Sequence, residues 1–270
     1  MTARRRLDTE LVRRGLASSR SEAQAAIAGG RVLVGGAVAD SPARLVLAGD
    51  AVRLVGPAAP FVSRGGEKLA AAIDRFAVPV AGRRALDAGA STGGFTDCLL
   101  QRGATHVVAV DVGHGQLHER LRGDERVTNL ERTNIRHLDL EAAGGVAFAV
   151  IVADLAFISL RTVFPALLQR LAAPSADAVL LVKPQFEAGR VEASRGRGVI
   201  RDPLIWQRVL DDVASSIVTH GAVMMDAMVS PLLGADGNVE FLVHARPGAG
   251  PGAPTVDLAA VVEAAKQHAG

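Results

Sequence analysis

Apolar residues fall into two patterns along this chain. Up to residue 55 they come in short sets: Leu7, Leu11 and Val12 recur at helical spacing before Gly15, and Ala23, Ala26 and Ile27 do so again before Gly29 and Gly30. Ser19 and Glu22 stand at capping-box spacing ahead of the second helix. Residues 31–34 read as a strand, Gly35-Gly36 as a hairpin turn, and 37–39, 45–47 and 51–55 as further short strands. Leu69, Ile73 and Phe76 line one side of a helix that ends before Pro79. From residue 85 the apolar runs become continuous, at 106–110, 149–153 and 178–182, as in strands buried on both faces. Residues 126–130, 223–229 and 239–245 read as further strands. Helices are predicted from Phe95 to near Gly103, over 157–171, over 203–220 and over 255–268. This alternation predicts an α/β, doubly wound, mostly parallel sheet with a small α+β domain in front. The stiff run Gly56-Pro57-Ala58-Ala59-Pro60 divides them, giving domains over 1–58 and 63–270 with a linker at 59–62.

One turn organises the larger domain. The strand at 85–87 runs into Asp87-Ala88-Gly89-Ala90-Ser91-Thr92-Gly93-Gly94-Phe95, and Gly89, Gly93 and Gly94 remove the side chains that would keep a ligand off the backbone. A carboxylate at the mouth of such a turn repels a pyrophosphate and holds an ammonium, so Asp87 points to S-adenosyl-L-methionine more than to NAD. Gly89 and Gly93 enclose three residues, a departure from G-x-G-x-x-G. Asp111 ends the next strand and suits ribose hydroxyls, which either cofactor offers; a tight turn with no ligand is the bland alternative. Residues 112–117 are expected to pass over the ribose side, with His114 either a ligand contact or a solvent-facing loop residue. Asn134 is placed to face the adenine edge. Asp154 ends the run 149–153 on the same rim as Asp87 and Asp111, and Lys183 leaves the next strand there. Lys68 falls in the first turn of a helix, where the dipole disfavours a cation. Glu240 falls inside the last strand, where a charge needs a reason. Arg190, Arg195, Arg197 and Arg201 read as a loop gripping a phosphate backbone, or as a solvated loop.

Composition narrows the classes. The chain of 270 residues is 49% hydrophobic but only 3% aromatic, with no Tyr and one Trp, so a core is assured and stacking platforms are few. Cys98 is the only cysteine, which excludes an internal disulfide and a multi-cysteine metal site. Met1 to Arg6 carry three arginines with no apolar run behind them, and no later stretch of about 18 apolar residues is free of charge or helix breakers. A cytoplasmic protein with no obligate membrane partner is expected. The net charge is +2, yet residues 1–62 carry nine Arg against five Asp or Glu, so the amino-terminal end is the place for RNA or DNA.

The spaced text from Arg6-Leu7-Asp8 to Arg20, with Ala23-x-x-x-Ile27-x-x-Gly30-x-Val32-x-Val34-x-Gly36, resembles the S-four-type RNA-binding domain over residues 4 to about 55. That resemblance implies an RNA-binding face on the two helices and the loop after Val34, with Arg4, Arg6, Arg14 and Arg20 meeting phosphates; a solvated helix face is the plain alternative. Residues 61–270 resemble the FtsJ-like ribose methyltransferases, a Rossmann-like fold whose catalytic tetrad has the order Lys68, Asp154, Lys183, Glu240. Five motifs, around Val62 to Leu69, Asp87 to Thr96, Asp111 to Leu117, Asp154 to Leu160 and Val182 to Glu187, make the whole chain similar to the TlyA family. His114 and Ala156 stand where tyrosine and serine are frequent in that family, and the linker before Val62 lacks the arginine and tryptophan of some longer members.

What the family resemblance implies is S-adenosyl-L-methionine-dependent 2′-O-methylation of cytidine in ribosomal RNA, on which tuberactinomycins such as capreomycin and viomycin depend. Met1 to Arg6 and Thr255 to His268 resemble the longer type that acts on both ribosomal subunits. Asp87, Gly89, Ser91, Gly93, Gly94, Phe95, Asp111, Asn134 and Asp154 would then hold the cofactor. Physically, a ribose hydroxyl attacks a methyl activated by its sulfonium, so the protein must align the two and remove a proton. Lys183 is the expected acceptor; desolvation and a neighbouring cation favour a neutral lysine, whereas Asp154 and Glu240 oppose it. The carboxylates alternatively orient the lysines and the hydroxyl. The rival readings are a dinucleotide-dependent oxidoreductase, a ribosome-binding or assembly factor without catalysis, and a membrane-active haemolysin.

Overall fold

The computed structural model describes residues 4–17, 20–56, 59–189, 192, 196, 198–248 and 254–268. Ser19 of the capping-box reading, Pro57 and Ala58 of the linker, and Arg190, Arg195 and Arg197 of the basic loop lie outside them. By its contacts the chain divides into two compact units, Met1–Ser63 and Arg64–Gly270.

In the first unit β1 (Arg5–Arg6) precedes helices α1 (Leu7–Arg13) and α2 (Arg20–Ala28). β2 (Val32–Val34) lies between β3 (Ala37–Val38) and, after β4 (Leu45–Val46), β5 (Val52–Leu54), antiparallel to both. β4 instead pairs antiparallel with β1. Leu7 and Leu11 of α1, Ala23 and Ile27 of α2, and Val32, Val46 and Val52 of the strands share one small core. The strands are so short because each needs only one or two inward side chains to close that core.

The second unit is built on seven strands: β6 (Arg84–Ala88), β7 (His106–Val110), β8 (Val127–Leu130), β9 (Phe148–Ala153), β10 (Ala172–Val182), β11 (Ala222–Val229) and β12 (Phe241–Pro247). Their order is β11-β12-β10-β9-β6-β7-β8, parallel except that β12 runs antiparallel to both neighbours. Helices α3 (Gly65–Phe76), α4 (Gly94–Gln101), α5 (Glu119–Arg122), α6 (Pro184–Glu187), α7 (Pro203–Thr219) and α8 (Leu258–His268) complete it. Leu86, Val108, Ile151, Leu180 and Val243 face one side, where Trp206, Val209 and Val213 of α7 join their core. The alternate residues Ala85, Val107, Val150, Val179 and Leu242 are buried as well. Strands covered on both faces have to be apolar at every position, which is why their runs are uninterrupted.

Parallel register brings the strand ends level. Ala88 lies opposite both Val110 and Ala153. Gly89 and Ala90 donate their N–H groups to Val110 O at 2.8 and 3.1 Å, and Asp154 N–H donates to Ala88 O at 3.0 Å. The residues after these strands therefore emerge on one rim, beyond the carboxyl ends, where an open α/β sheet binds its ligands.

Two expectations need correction. The crossover over 157–171 is not one helix: Phe157 sits at φ 65°, Leu160–Thr162 forms a 3-10 turn, and Pro165–Arg170 is π-helical, with Leu171 N–H reaching Ala166 O five residues back. Ser159, whose hydroxyl caps Arg161 N–H, starts the turn, and Pro165 has no N–H to continue a regular ladder from it. Glu240 is not inside the last strand either. β12 begins at Phe241, and Glu240 closes the preceding loop by accepting Ser230 N–H on its carbonyl at 2.8 Å.

Gly89 also has a reason different from the one its sequence context suggests. It sits at φ 87°, and a Cβ on it would lie 2.3 Å from the Asp154 carbonyl oxygen, so the neighbouring chain already fills the space a side chain would take. Gly89→Ala should destabilise the second unit by about 3 kcal/mol, combining the left-handed backbone with overlap against main chain. Chemical denaturation followed by Trp206 fluorescence measures this, and a loss under about 1 kcal/mol would contradict the account.

Candidate active site

The four residues of the Lys, Asp, Lys, Glu order meet as two ion pairs. Lys68 Nζ lies 2.5 Å from Glu240 Oε2, and Lys183 pairs with Asp154. Lys68 comes from the first turn of α3, so only a strong acceptor offsets the unfavourable dipole, and buried Glu240 is that acceptor. Continuing the antiparallel register of β10 and β12 beyond Val182 and Phe241 sets Lys183 opposite Glu240, so the pairs are neighbours. They differ in access: the Glu240 side chain is 3% exposed and that of Asp154 25%, so one pair is a foundation and the other faces the rim. Gly234 makes the space for Glu240, since a Cβ there would lie 2.1 Å from Glu240 Oε1.

Three acids stand at the ends of adjacent strands, Asp87, Asp111 and the already paired Asp154, and the structure corrects the place of one. Asp87 is not at the mouth of the glycine turn. It is a strand residue with no exposed surface, and its Oδ2 accepts the Thr96 hydroxyl at 2.6 Å. A bond from Thr96 N–H makes it a cap for the first turn of α4, whose N-cap, Gly93, has no side chain to offer. Burial pushes its carboxyl up to about 7, opposed next by the Thr96 hydroxyl and aided more weakly by the nearby Asp154 and Asp111 charges. Its Oδ1 is buried with no hydrogen-bond partner. Asp111 bridges the two rim loops, accepting Ser91 N–H at 2.8 Å and Gly113 N–H at 2.7 Å. A set of acceptors with which, among the described residues, no arginine is paired is chemically suited to a ligand that carries an ammonium and a ribose diol, and unsuited to a pyrophosphate. S-adenosyl-L-methionine fits that donor and acceptor set.

The other expected cofactor residues are placed more loosely. Gly93 has φ 95°, and a Cβ there would strike Leu121 at 2.3 Å, so packing on α5 demands it. Gly94 opens α4 and Phe95 is buried behind it. Ser91 Oγ donates to Gln116 Oε1 at 3.3 Å, joining the glycine turn to the loop expected over the ribose. His114 Nδ1 pairs with Glu131 at 2.5 Å, and Glu131 is held down at about 2, first by the Gly115 N–H and then by Asn129. Asn134 is exposed, and its side-chain oxygen is engaged by Arg136 N–H at 3.0 Å.

In the first unit the arginines are organised by buried acids. Asp8, with no exposed surface, accepts from Arg6 Nη2 at 2.9 Å, Arg20 Nη2 at 3.0 Å and Gln24 at 3.1 Å; Arg6 above all holds it far below the usual carboxylate range. Buried Glu10 holds Arg13 at 2.6 Å and Arg14 at 2.7 Å, which keep it down at about 2. Arg14 differs from the rest. It is 18% exposed and donates to the carbonyls of Asp50, Leu47 and Ala48 at 2.8–3.1 Å, so its work is to clamp the loop before β5. Arg6 and Arg20 are about half exposed, and Arg4 is exposed.

Sequence reasoning missed three residues and one signal. Phe157 is 92% exposed, with its ring 5.3 Å from that of Phe186, next to Lys183 and Asp154. Gly234 supports the site without a motif to announce it, and Glu187 ends the motif at Val182 to Glu187 without its part being announced there. The signal is in the composition: of 30 basic residues only Lys68, Lys183 and Lys266 are lysines. Two of the three occupy the site, where an amine that can lose its proton differs in kind from a guanidinium that cannot.

Residues 61–247 match the FtsJ-like methyltransferase family and residues 5–52 the S4 domain. The chain is 50% identical over 247 residues, 91% of each chain, to the 16S/23S rRNA (cytidine-2′-O)-methyltransferase TlyA of Mycobacterium tuberculosis strain H37Rv. It is 41% identical to Hemolysin A of Brachyspira hyodysenteriae, covering 88% of this chain and 98% of that one. A hemolysin-named structure from Streptococcus thermophilus superposes with a TM-score of 0.78 at 36% identity, covering 99% of this chain and 97% of that one. Among the described residues no helix is long and apolar enough to cross a membrane, and no cluster of three or more His, Cys, Asp or Glu is arranged to hold a metal.

Two outcomes follow from the charges. Asp87, raised from 3.8 to about 7, binds a proton in the folded state that the unfolded chain releases earlier. Its contribution to stability is complete below about pH 4 and is lost as pH rises through 7, at a limiting slope of about 1.4 kcal/mol per pH unit. The stability advantage of the wild type over Asp87→Asn should therefore shrink between pH 4 and 7 and level off above; a constant gap in denaturation curves across that range would refute the burial argument. In the first unit, Arg14→Ala should cost about 2 kcal/mol, because it leaves buried Glu10 short of a partner and three carbonyls without a donor. Arg20→Ala should cost less than about 1 kcal/mol. Hydrogen exchange of the α1 and α2 amides distinguishes the two.

Proposed function

Because the chain belongs to the TlyA family of FtsJ-like methyltransferases, we propose that it methylates the ribose 2′-hydroxyl of cytidine in ribosomal RNA, with S-adenosyl-L-methionine as methyl donor. The observation that carries this is the two lysine–carboxylate pairs standing side by side at the carboxyl rim, in a chain that otherwise uses almost no lysine.

S-adenosyl-L-methionine supplies a methyl group already activated by a sulfonium. Asp111 would hold the ribose diol, the glycine turn would line the cofactor with buried Asp87 supporting it from behind, and Asp154 borders both cofactor and nucleophile. The remaining task is to align one hydroxyl and take its proton. We assign the proton to Lys183 Nζ, the amine of the more accessible lysine–carboxylate pair, which takes it up once it has given its own proton to solvent, and give Asp154 the task of orienting it. Lys68 and Glu240 brace the floor and place a second cation near the oxygen that develops charge. Phe157 offers an aromatic face on which a base drawn out of its strand can stack, beside the residues that act on its ribose. Arg4, Arg6 and Arg20 are assigned to phosphates of the same RNA.

We extend the reading to both ribosomal subunits, on the strength of 50% identity to a relative named as a 16S/23S rRNA methyltransferase, and with it to an association with capreomycin and viomycin susceptibility. A ribosomal substrate places the reaction in the cytoplasm.

The deciding experiment transfers labelled methyl from S-adenosyl-L-methionine to purified small and large subunits from a strain lacking the gene. Label in both supports the dual reading, and label in one narrows it. A folded protein that binds the cofactor and labels neither supports a binding or assembly factor. Lys183→Ala should lower turnover by at least about 100-fold with cofactor affinity nearly intact. Lys183→Arg should be equally inactive, because it keeps the ion pair and cannot accept a proton. Appreciable turnover by Lys183→Arg would remove Lys183 from the central role.

A further inference from the structure

The loops that carry Asp154 and Lys183 leave adjacent parallel strands whose pairing stops at Ala153 and Leu180. Beyond that point no ladder joins segment 154–160 to segment 181–187 among the described residues. Lys183 is held by β10, paired with β12 as far as Val182, and by α6, but segments free of each other beyond Ala153 would let the ion pair drift by more than proton transfer tolerates. They are instead rejoined by one buried side chain. Glu187, 5% exposed, accepts the Ser159 hydroxyl at 2.5 Å, Leu160 N–H at 2.6 Å and Arg161 Nε at 3.3 Å. Arg161 Nη2 returns a bond to the Glu187 carbonyl at 2.9 Å.

From this geometry we infer that Glu187 is a positioning residue, a latch that fixes the two loops to each other and so sets the Lys183–Asp154 ion pair. The pair is bracketed, with strand pairing on one side and Glu187 on the other. Glu187 stands four residues past Lys183 on one loop and grips Ser159 and Leu160, five and six residues past Asp154, on the other. Phe157 and Phe186, whose rings touch, lie within the same bracket. A carboxylate is needed because each of its oxygens meets a donor. An amide in its place would turn an NH2 towards a hydroxyl or a main-chain N–H, so the substitution Glu187→Gln breaks the latch with little change in volume.

This inference rests on the reading of Lys183 as proton acceptor, and its test separates the two. Because the chain has three lysines, full-length protein labelled at lysine Nζ gives three signals, assignable by single Lys→Arg substitutions. In folded Glu187→Gln the Lys183 signal should move, while those of Lys68 and Lys266 stay. Methyl transfer should fall about 10- to 100-fold in kcat with KM for the cofactor unchanged. Should Glu187→Gln fail to fold, Ser159→Ala decides by the same criteria, with a fall of about fivefold. An unmoved Lys183 signal in the folded variant overturns the latch, and so does a joint movement of all three signals, which reports a general change. If the wild type transfers no methyl to either subunit, the enzymatic reading fails, and the lysine signals still settle the latch.

Discussion

A buried lysine at the start of a helix is tolerable only when a carboxylate meets it, and the pairing of Lys68 with Glu240 is the constraint on which the rest of the site depends. It joins α3, which lies before the sheet in sequence, to the loop entering β12, which comes 172 residues later. Because β12 runs against its neighbours, its beginning lies at the same rim where the parallel strands end. One reversed strand thereby delivers an acid to an edge otherwise supplied by strand ends, and sets it opposite Lys183. The deep pair fixes the floor, and the shallower pair is left to meet whatever binds above it.

The rim acids show how one residue type takes different parts according to solvent. Asp87 is covered completely and caps a helix, its carboxyl raised towards neutrality by burial. Asp111 is tied to two backbone amides and links loops. Asp154 remains partly open and holds a lysine. The same letter at the end of three apolar runs therefore means support, bridge and contact in turn.

The central strands were legible because burial on both faces forces unbroken apolar runs, and the acids after them mark the rim. The tetrad was legible as residue order, since Lys68, Asp154, Lys183 and Glu240 each break a local rule or end a run. Pairing was not legible: nothing near Lys68 announces Glu240, and the start of β12 is unmarked because Val239 is as apolar as Phe241 and Leu242. The stretch after Asp154 misled for a physical reason. Phe157, Ile158 and Leu160 have helical spacing with Val163 and Phe164, but Phe157 is turned outward by a left-handed backbone and Pro165 interrupts the ladder. Arg14 misled in the opposite way, because a basic residue on a basic helix does not reveal that its guanidinium is spent on three carbonyls of its own chain.

The buried acids of α1 have a consequence beyond holding that helix in place. Arg6, Arg13 and Arg20 are each fixed by a carboxylate that is itself immobile in the core, so their long side chains have surrendered most of their rotamer freedom before any anion arrives. Ordering a free arginine costs up to about 2 kcal/mol of conformational entropy, and much of that cost is already met by folding. Asp8 and Glu10 thus lower the net charge of the face, and on the reading proposed for it they would also reduce what each remaining contact loses on association. A surface with fewer but stiffer cations discriminates by the spacing of phosphates, where a looser and more highly charged one would respond to their density alone.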